Sequence, residues 1–189
     1  MDAGIEPVEL LVAGENVEPA LLAEVSTLGH PPRSIGVFRR SDLPRTPLPE
    51  VGLALWRVAD PGNVGTLVRV ANALGPAFVA LSAGSADTTG PKALRASMGA
   101  LFRVPLVDFD DAPGRRVALV VRGGSPLDEI ELQGPTTFVL GAEREGLPEA
   151  VLADCDGRAT IPLAAGAESL NVAVAGAIAL YELARRKRT

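Results

Sequence analysis

The sequence predicts an α/β protein whose mostly parallel sheet is covered by helices on both faces. Short, predominantly apolar segments such as Phe78–Leu81 and Thr137–Leu140 alternate with segments whose apolar residues recur at helical spacing. Strands of continuous apolar character are typical of parallel sheets, because both faces of such sheets are buried. The last apolar segment, Leu170 to Leu183, has only Asn171 and Glu182 as strongly polar residues. A helix with so little polar surface must be covered on most of its sides.

A small α/β extension precedes the main domain. Its predicted elements are a strand at Val8–Ala13, a helix at Pro19–Leu28 and a strand at Ser34–Phe38. Prolines at positions 44, 47 and 49 then exclude a regular central element, so Leu43–Glu50 is interpreted as a linker. We therefore divide the chain into residues 1–50, the N-terminal α/β extension with its linker, and residues 51–189, the main domain.

The main domain repeats a pattern of strand followed by helix. It begins with a strand at Val51–Val58, and the first helix, whose apolar residues run from Val64 to Leu74, is ended by Gly75-Pro76. The further predicted strands are Phe78–Leu81, Val104–Val107, Val117–Val121, Thr137–Leu140 and Ala159–Leu163, and the further helices are Pro91–Leu101, Pro126–Leu132, Pro148–Ala153 and the final segment. Ligands of open α/β sheets bind beyond the carboxyl ends of the strands, so we expect the functional residues in the loops there.

Composition limits the possible functions. The chain has 189 residues, of which 47% are hydrophobic and 22% charged, and its start resembles neither a signal peptide nor a membrane span. We therefore expect a cytoplasmic protein with no membrane partner. One cysteine, Cys155, and one histidine, His30, offer little for a metal, so no metal site is predicted. The net charge of -5 argues against indiscriminate adhesion to nucleic acid, but it does not exclude a local basic patch. Arginine clusters occur at Arg39-Arg40, Arg115-Arg116 and Arg185 to Arg188, and each is either solvated surface or a binding site.

The first of three polar loops leads into the helix that follows Asp60. Asn63 is interpreted either as the N-cap of that helix or as a functional residue. The apolar residues of the helix share one face, which places Arg69 on the opposite face together with Thr66 and Asn72. An arginine there is either a solvated residue or a phosphate ligand, since guanidinium groups match phosphate oxygens in pairs.

The second loop, Gly141-Ala142-Glu143 and then Gly146, follows a strand. Glycines around a carboxylate let a ligand approach the backbone closely, but a simple turn between strand and helix is the alternative. The sequence contains neither GxGxxG nor GxxxxGK[ST], so a dinucleotide or nucleoside triphosphate site lacks its usual support.

The third loop, Ile161 to Asn171, enters the final helix. Ser169 alone is explained by an N-cap, because serine is a preferred residue there. Asn171 is expected inside the first turn, where no cap is needed. Its polar side chain at the start of an apolar helix therefore indicates a functional role.

In this order and spacing, the three loops resemble the motifs of the SpoU/TrmH family of the SPOUT class, which are RNA ribose 2′-O-methyltransferases that use S-adenosyl-L-methionine. NVGTLVRVANALG at Asn63–Gly75 is similar to the first motif, N-x-G-x-x-x-R-x-A-x-x-x-G. VLGAEREGL at Val139–Leu147 resembles the second and IPLAAGAESLNVAVAGAIALYE at Ile161–Glu182 the third. PKALRASMGALFRVP at Pro91–Pro105 resembles the family's middle region, so the resemblance extends from about Val51 to the C-terminus.

The resemblance implies a fold and a cofactor. It implies a parallel sheet whose C-terminal part is tied in a trefoil knot, with S-adenosyl-L-methionine held in the knot largely by backbone groups. The cofactor-binding residues that it implies are Val121, Gly141, Ile161, Leu163 and Leu170. It also implies a homodimer through the C-terminal helix region, which would explain why the last helix lacks a polar face.

The same resemblance assigns five residues to the catalytic site, namely Asn63, Arg69, Glu143, Ser169 and Asn171. Arg69 would either activate the ribose hydroxyl or orient and neutralise a neighbouring phosphate; a guanidinium with a pKa above about 12 is almost never neutral. Glu143, Ser169 and Asn171 are interpreted as orienting groups, because alignment of the 2′-oxygen with the methyl carbon supplies much of the acceleration.

Two features depart from the family pattern. Ala142 stands where many members carry asparagine, and the N-terminal extension resembles only the last part of an RNA-binding domain. The leading hypothesis is an RNA ribose 2′-O-methyltransferase acting on ribosomal RNA, with transfer RNA as the next possibility. The alternatives are a non-catalytic RNA-binding or ribosome-assembly protein with the same fold, and an α/β enzyme acting on another nucleotide-like ligand.

Overall fold

The computed structural model describes residues 4–26 and 29–186, and the chain divides into two compact units between Leu43 and Pro44. The first unit contains β1 (Glu9–Val12), α1 (Pro19–Val25) and β2 (Ser34–Val37). The two strands pair in antiparallel register, with Leu10 opposite Gly36. The predicted order of strand, helix and strand is therefore confirmed. The last two residues of the helix predicted at Pro19–Leu28 lie outside the described part of the chain.

The second unit is built on one parallel sheet. Its strands are β3 (Val51–Leu55), β4 (Phe78–Leu81), β5 (Leu106–Asp108), β6 (Arg115–Leu119), β7 (Ser125–Pro126), β8 (Thr136–Leu140) and β9 (Gly157–Thr160). They lie in the order β5-β4-β3-β8-β6-β9-β7, and every neighbouring pair is parallel. All five residues of β3 and of β8 are buried, because these two central strands carry apolar or hydrogen-bonded side chains on both faces.

Helices cover both faces of this sheet, as predicted. On one face, α5 (Val172–Arg186) lies against α2 (Pro61–Leu74) and β8, and the backbone of Gly176 contacts the Leu67 side chain so closely that a Cβ would collide with it. On the other face, Val151 of α4 (Glu149–Ala153) packs in a cluster with Ala54 and Val139. The central strands β3 and β8 are thus buried between two helical layers.

Two of the predicted helices need correction. The prediction of a helix at Pro126–Leu132 is wrong, because Ser125 and Pro126 form an edge strand beside β9 and only a turn follows. Proline is accepted at an edge because it has no N–H to donate to a further strand. The predicted helix Pro91–Leu101 divides into α3 (Pro91–Ser97) and a 3-10 turn, since Met98 and Gly99 adopt the left-handed conformation with φ of 51° and 80°.

The last helix is less covered than its sequence predicts. Ala173, Gly176 and Leu183 are among its buried residues, whereas Val174 and Tyr181 remain 45% and 57% exposed. One apolar side of α5 is therefore not covered by the described residues of this chain. In that part of the chain, no helix has the length and apolar character required to cross a membrane. The order of the strands does not by itself establish the trefoil knot, which stays a prediction.

Candidate active site

A cavity of about 500 Å³ opens where strands β6, β8 and β9 end. Its walls come from the segments that follow these strands and from the start of α5. All five residues predicted to bind the cofactor line it: Val121, Gly141, Ile161, Leu163 and Leu170. Ile161 and Leu163 lie in the loop beyond β9, which ends at Thr160 rather than continuing to Leu163 as predicted. The cavity thus lies at the carboxyl edge of the sheet, where ligands of parallel sheets are expected.

The loop after β8 forms a tight hairpin. The N–H and carbonyl groups of Ala142 and Gly146 exchange hydrogen bonds of 3.1 and 2.9 Å, which leaves Glu143 in the three-residue loop between them. A Cβ on Gly141 would overlap the Gly146 backbone and lie 2.6 Å from the Leu147 nitrogen. Gly141 is therefore required because the chain approaches itself, which supports the turn interpretation, although the residue also lines the cavity. Since backbone groups close the hairpin, alanine at position 142 keeps this contact.

Three donors hold the Glu143 carboxylate. Its Oε1 accepts from the Asp60 N–H at 3.1 Å and from Asn63 Nδ2 at 3.0 Å, and its Oε2 accepts from the Ala59 N–H at 3.2 Å. Partial burial alone would raise the pKa of Glu143, but the hydrogen bonds from Asn63, Asp60 and Ala59 outweigh it and hold this pKa below its usual value. The side chain is consequently an ionised, oriented acceptor at neutral pH.

Asn63 is not the N-cap of α2, and its side-chain amide instead bonds to other residues of the site. The N-cap of α2 is Asp60, whose Oδ1 accepts from the Asn63 N–H at 3.0 Å, and Pro61 occupies the first helical position. The Asn63 amide is therefore available to bridge: its Nδ2 donates to Glu143, and its Oδ1 accepts from Asn171 Nδ2 at 3.0 Å. The Asp-Pro pair in the sequence is the signal that assigns the cap to Asp60.

The observed start of α5 differs from what was predicted for both Ser169 and Asn171. The helix begins at Val172, and Asn171 is its N-cap because its Oδ1 accepts from the Ala173 and Val174 N–H groups at 2.8 and 3.3 Å. Ser169 lies two residues earlier, in the loop, and lines the cavity. The prediction that Ser169 caps the helix and that Asn171 lies inside its first turn is thus wrong, because the helix starts later than the apolar pattern suggests.

Asn63, Asn171 and Glu143 therefore form a continuous hydrogen-bonded chain from the Glu143 carboxylate to the first turn of α5. An ionised carboxylate only accepts hydrogen bonds, which fixes the orientation of the Asn63 amide and then that of Asn171. Glu143 and Asn171 also line the cavity. Three of the five predicted catalytic residues are thus connected to one another, and Ser169 lies in the same wall.

Arg69 is the predicted catalytic residue that the fold places elsewhere. It is exposed on α2, opposite the buried stripe that includes Val64, Leu67 and Val68, and it does not line the cavity. Arg69 lies six positions after Asn63, which corresponds to about 9 Å along a helix axis. The predicted helix face is confirmed, while the catalytic role of Arg69 stays a prediction.

Two arginine clusters have structural partners. Arg115 and Arg116 begin β6, at the end of the sheet away from the cavity, and Arg116 Nη2 donates to the carbonyls of Phe109 and Asp110. At the end of α5, Arg186 donates to the Leu127 and Ile130 carbonyls at 2.9 and 2.6 Å, while Arg188 lies outside the described residues. These contacts favour a structural role for Arg115–Arg116 and for Arg186 over an RNA contact.

The described residues do not provide a metal centre. Within residues 4–26 and 29–186, no group of His, Cys, Asp or Glu side chains has the arrangement of a metal site. Cys155 lies on the face of the sheet that is opposite α2 and α5. It borders a smaller cavity beside Trp56 and Phe109, and burial raises the pKa of its thiol. The Cys155 thiol is therefore mainly protonated at neutral pH and separate from the candidate site.

The sequence and the fold of this chain are similar to those of known proteins. The sequence profile of the SpoU rRNA methylase family matches residues 50–181. The chain belongs to this family. This chain is 34% identical over 189 residues to an uncharacterized tRNA/rRNA methyltransferase from Synechocystis sp., and the match covers 94% of this chain and 67% of the relative. It is 32% identical to the 23S rRNA (uridine(2479)-2′-O)-methyltransferase from Streptomyces viridochromogenes, with coverage of 89% and 66%.

A solved structure confirms the fold of this SpoU family member. The SpoU methyltransferase AviRb from Streptomyces viridochromogenes, in complex with AdoMet, superposes with a TM-score of 0.84 at 27% identity. The match covers 100% of this chain and 86% of AviRb. The chain spans about two thirds of the length of the two curated relatives.

Proposed function

We propose that this chain is a cytoplasmic RNA methyltransferase that transfers a methyl group from S-adenosyl-L-methionine to a ribose 2′-hydroxyl. Ribosomal RNA is the favoured substrate, and transfer RNA is the second candidate. The observation that carries the proposal is that Asn63 is hydrogen-bonded to both Glu143 and Asn171, and that these two partners line the same cavity as all five predicted cofactor-binding residues. Membership of the SpoU family and the ribosomal RNA target named for the Streptomyces relative support the choice of substrate.

The cavity suits a ligand of this kind. Its volume of about 500 Å³ lies within the range of about 300–1,000 Å³ found for small-molecule sites. Apolar side chains such as Val121, Ile161 and Leu170 supply much of its wall, while Glu143 supplies negative charge. When bound, S-adenosyl-L-methionine would supply an activated methyl group on a cationic sulfur. An ionised carboxylate in the wall complements that cationic character.

The residues of this chain would act mainly by positioning. Glu143 is a poor general base, because three donors already bind its carboxylate and its lowered pKa makes it a weak proton acceptor. It retains accepting capacity on Oε2, while Asn171 and Ser169 border the same cavity. We propose that these groups orient the ribose, and that Arg69 binds an adjacent phosphate rather than serving as a neutral base. Correct orientation of two reactants accounts for a large part of enzymatic acceleration.

We further propose a homodimer through the C-terminal helix region. Val174 and Tyr181 leave an apolar strip on α5, and Leu170 at the cavity is 37% exposed. A second copy of the chain would cover this strip and the adjacent cavity rim. Sedimentation of the wild type as a dimer, and of Val174→Asp as a monomer, is the expected result. A monomeric wild type at micromolar concentration would contradict this part of the proposal.

The N-terminal extension is proposed to help choose the RNA. It presents Arg39 and Arg40 after β2, where charged side chains could contact phosphates. Substitution of Arg39 by alanine should raise the KM for RNA and leave the affinity for S-adenosyl-L-methionine unchanged. An unchanged KM for RNA would remove this role.

Transfer of labelled methyl groups tests the activity directly. Wild-type protein, ribosomal RNA from cells that lack the protein and labelled S-adenosyl-L-methionine should give labelled ribose 2′-O-methyl groups. Arg69→Ala should lose at least tenfold in kcat/KM without a change in stability, because the side chain is exposed. Arg158→Ala is a matched control, since this arginine forms an exposed pair with Glu149 at 3.1 Å. Cofactor binding without methyl transfer to any RNA would instead indicate a non-catalytic RNA-binding protein.

A further inference from the structure

Lys92 forms an ion pair with Asp60 between the first turns of α3 and α2. Its Nζ lies 2.6 Å from Asp60 Oδ2, and the two side chains are 58% and 44% exposed, in that order. Exposed ion pairs contribute little to stability, because water and salt screen them. We therefore look for the role of this short ion pair in the position that it gives to the Asp60 side chain.

Asp60 connects this ion pair to the candidate active site. Its Oδ1 caps α2 by accepting from the Asn63 N–H at 3.0 Å, and its own N–H donates to Glu143 Oε1 at 3.1 Å. One residue thus contacts Lys92 through one carboxylate oxygen, the start of α2 through the other, and Glu143 through its backbone. A rotation of the Asp60 side chain would break the hydrogen bond that it accepts from the Asn63 N–H, and the backbone at the start of α2 would lose its cap.

Two glycines create the space for this contact. A Cβ on Gly62 would lie 2.7 Å from Asp60 Oδ1 and 3.3 Å from the Lys92 Cε, so the lysine side chain passes over a position that has no side chain. One turn later, the backbone of Gly65 touches the Ala93 carbonyl so closely that a Cβ would overlap it. The start of α3 is thereby held against α2, within reach of Asp60.

We propose that Lys92 is a positioning residue of the methyl-transfer site, which holds Asp60 and, through it, Asn63 and Glu143. The inference rests on the proposed function. Without the ammonium group, the Asp60 carboxylate loses its charged partner and is free to turn toward water. The cap of α2 then weakens, and the peptide N–H groups of Ala59 and Asp60 no longer lie at fixed distances from Glu143.

Kinetics separates this role from a direct contact between Lys92 and RNA. Lys92→Met should lower kcat by roughly tenfold to a hundredfold, with less than a twofold change in the KM for RNA. Lys92→Arg should restore most of kcat, because a guanidinium can still pair with Asp60. Asp60→Asn should reproduce the loss, and the double variant should be no worse than either single one. Arg158→Met breaks another exposed ion pair, whose residues do not line the cavity, and should leave kcat unchanged.

A measurement on the free protein keeps the inference separate from the activity. In a pH titration followed by NMR of carboxyl carbons, Glu143 of Lys92→Met should titrate at a higher pH than in the wild type, and Glu143 of Arg158→Met should not. If this shift appears but the wild-type protein has no methyltransferase activity, the proposed function is wrong, while the effect of Lys92 on Asp60 and Glu143 is supported. An active wild type whose Lys92→Met variant has unchanged kcat overturns the positioning role. A rise in KM alone, without any change in the Glu143 titration, would identify an RNA contact and also overturn it.

Discussion

Asn63 Oδ1 accepts a hydrogen bond of 3.0 Å from Asn171 Nδ2, although the two residues are 108 positions apart in the sequence. Asn63 lies in the first turn of α2, which follows β3, and Asn171 caps α5 at the end of the loop that follows β9. Glu143, which follows β8, is bonded to Asn63 on its other side. The two hydrogen bonds together join segments that follow three strands of the sheet, so the loss of the Asn63 amide should disturb all three segments.

Replacement of Asn63 by aspartate should disable this arrangement in a pH-dependent way. The new carboxylate would lie about 3 Å from Glu143, and two carboxylates at that distance do not both ionise readily, so the pKa of one of them rises. We expect kcat to fall at least tenfold at pH 8 and to recover in part as the pH falls toward 5, because a shared proton restores a hydrogen bond. Rate profiles between pH 5 and 8 measure the effect. Asn72→Asp, on the exposed side of α2, should keep the wild-type profile; an identical profile for Asn63→Asp would argue against the network.

Gly141→Ala should damage the site through the backbone. The added Cβ overlaps the Gly146 backbone, so the hairpin that carries Glu143 must move. We expect a loss of roughly 1–3 kcal/mol in the free energy of unfolding, as in other overpacked sites, and a weaker affinity for S-adenosyl-L-methionine by calorimetry. Gly157→Ala on β9 is the control, because its Cβ would meet only the Arg115 guanidinium at 3.4 Å. Equal affinities of the two variants would contradict the explanation.

Two helix glycines should respond differently to alanine. Alanine favours a helix over glycine by about 1 kcal/mol. At Gly176 the new Cβ meets the tip of the Leu67 side chain, which can rotate, so Gly176→Ala should be nearly neutral. At Gly65 it meets the backbone carbonyl of Ala93, which cannot, so Gly65→Ala should destabilise by roughly 1–3 kcal/mol. Urea denaturation measures both; a Gly65→Ala protein as stable as the wild type would show that α2 and α3 can separate at no cost.

Glu182 should stabilise the folded protein at neutral pH and lose this effect as the pH becomes acidic. Hydrogen bonds from Arg185 and Arg186 lower the pKa of Glu182 to about 2 from an ordinary value of 4.5. A carboxyl group whose pKa is lower in the folded state stabilises fully above its unfolded pKa, and this stabilisation disappears as the pH falls through the folded value. The difference in unfolding free energy between wild type and Glu182→Gln should be roughly 1 kcal/mol above pH 5 and should shrink between pH 4.5 and 2. A difference independent of pH would show that the ion pairs are not responsible.

Periodicity in the sequence predicted the parts of the fold that depend on local burial. The apolar stripe of α2, the apolar strands β3 and β8 and the helix at the C-terminus all carry a pattern that a few neighbouring residues determine. Helix starts were predicted less well. Asp60 rather than Asn63 caps α2, and Asn171 rather than Ser169 caps α5, because every polar residue near a helix start is a plausible cap until the first bonded turn is known.

By itself, the sequence determined the α/β class, the covered parallel sheet and the motif residues that surround the candidate site. The tertiary structure decided which of these residues touch: Asn63 joins Glu143 to Asn171, whereas Arg69 lies apart on an exposed helix face. It also decided that Ser125 and Pro126 add an edge strand and that Val174 stays exposed. The physical reason is that burial patterns are local, whereas the order of the strands brings distant loops together and selects among several polar side chains the few that bond.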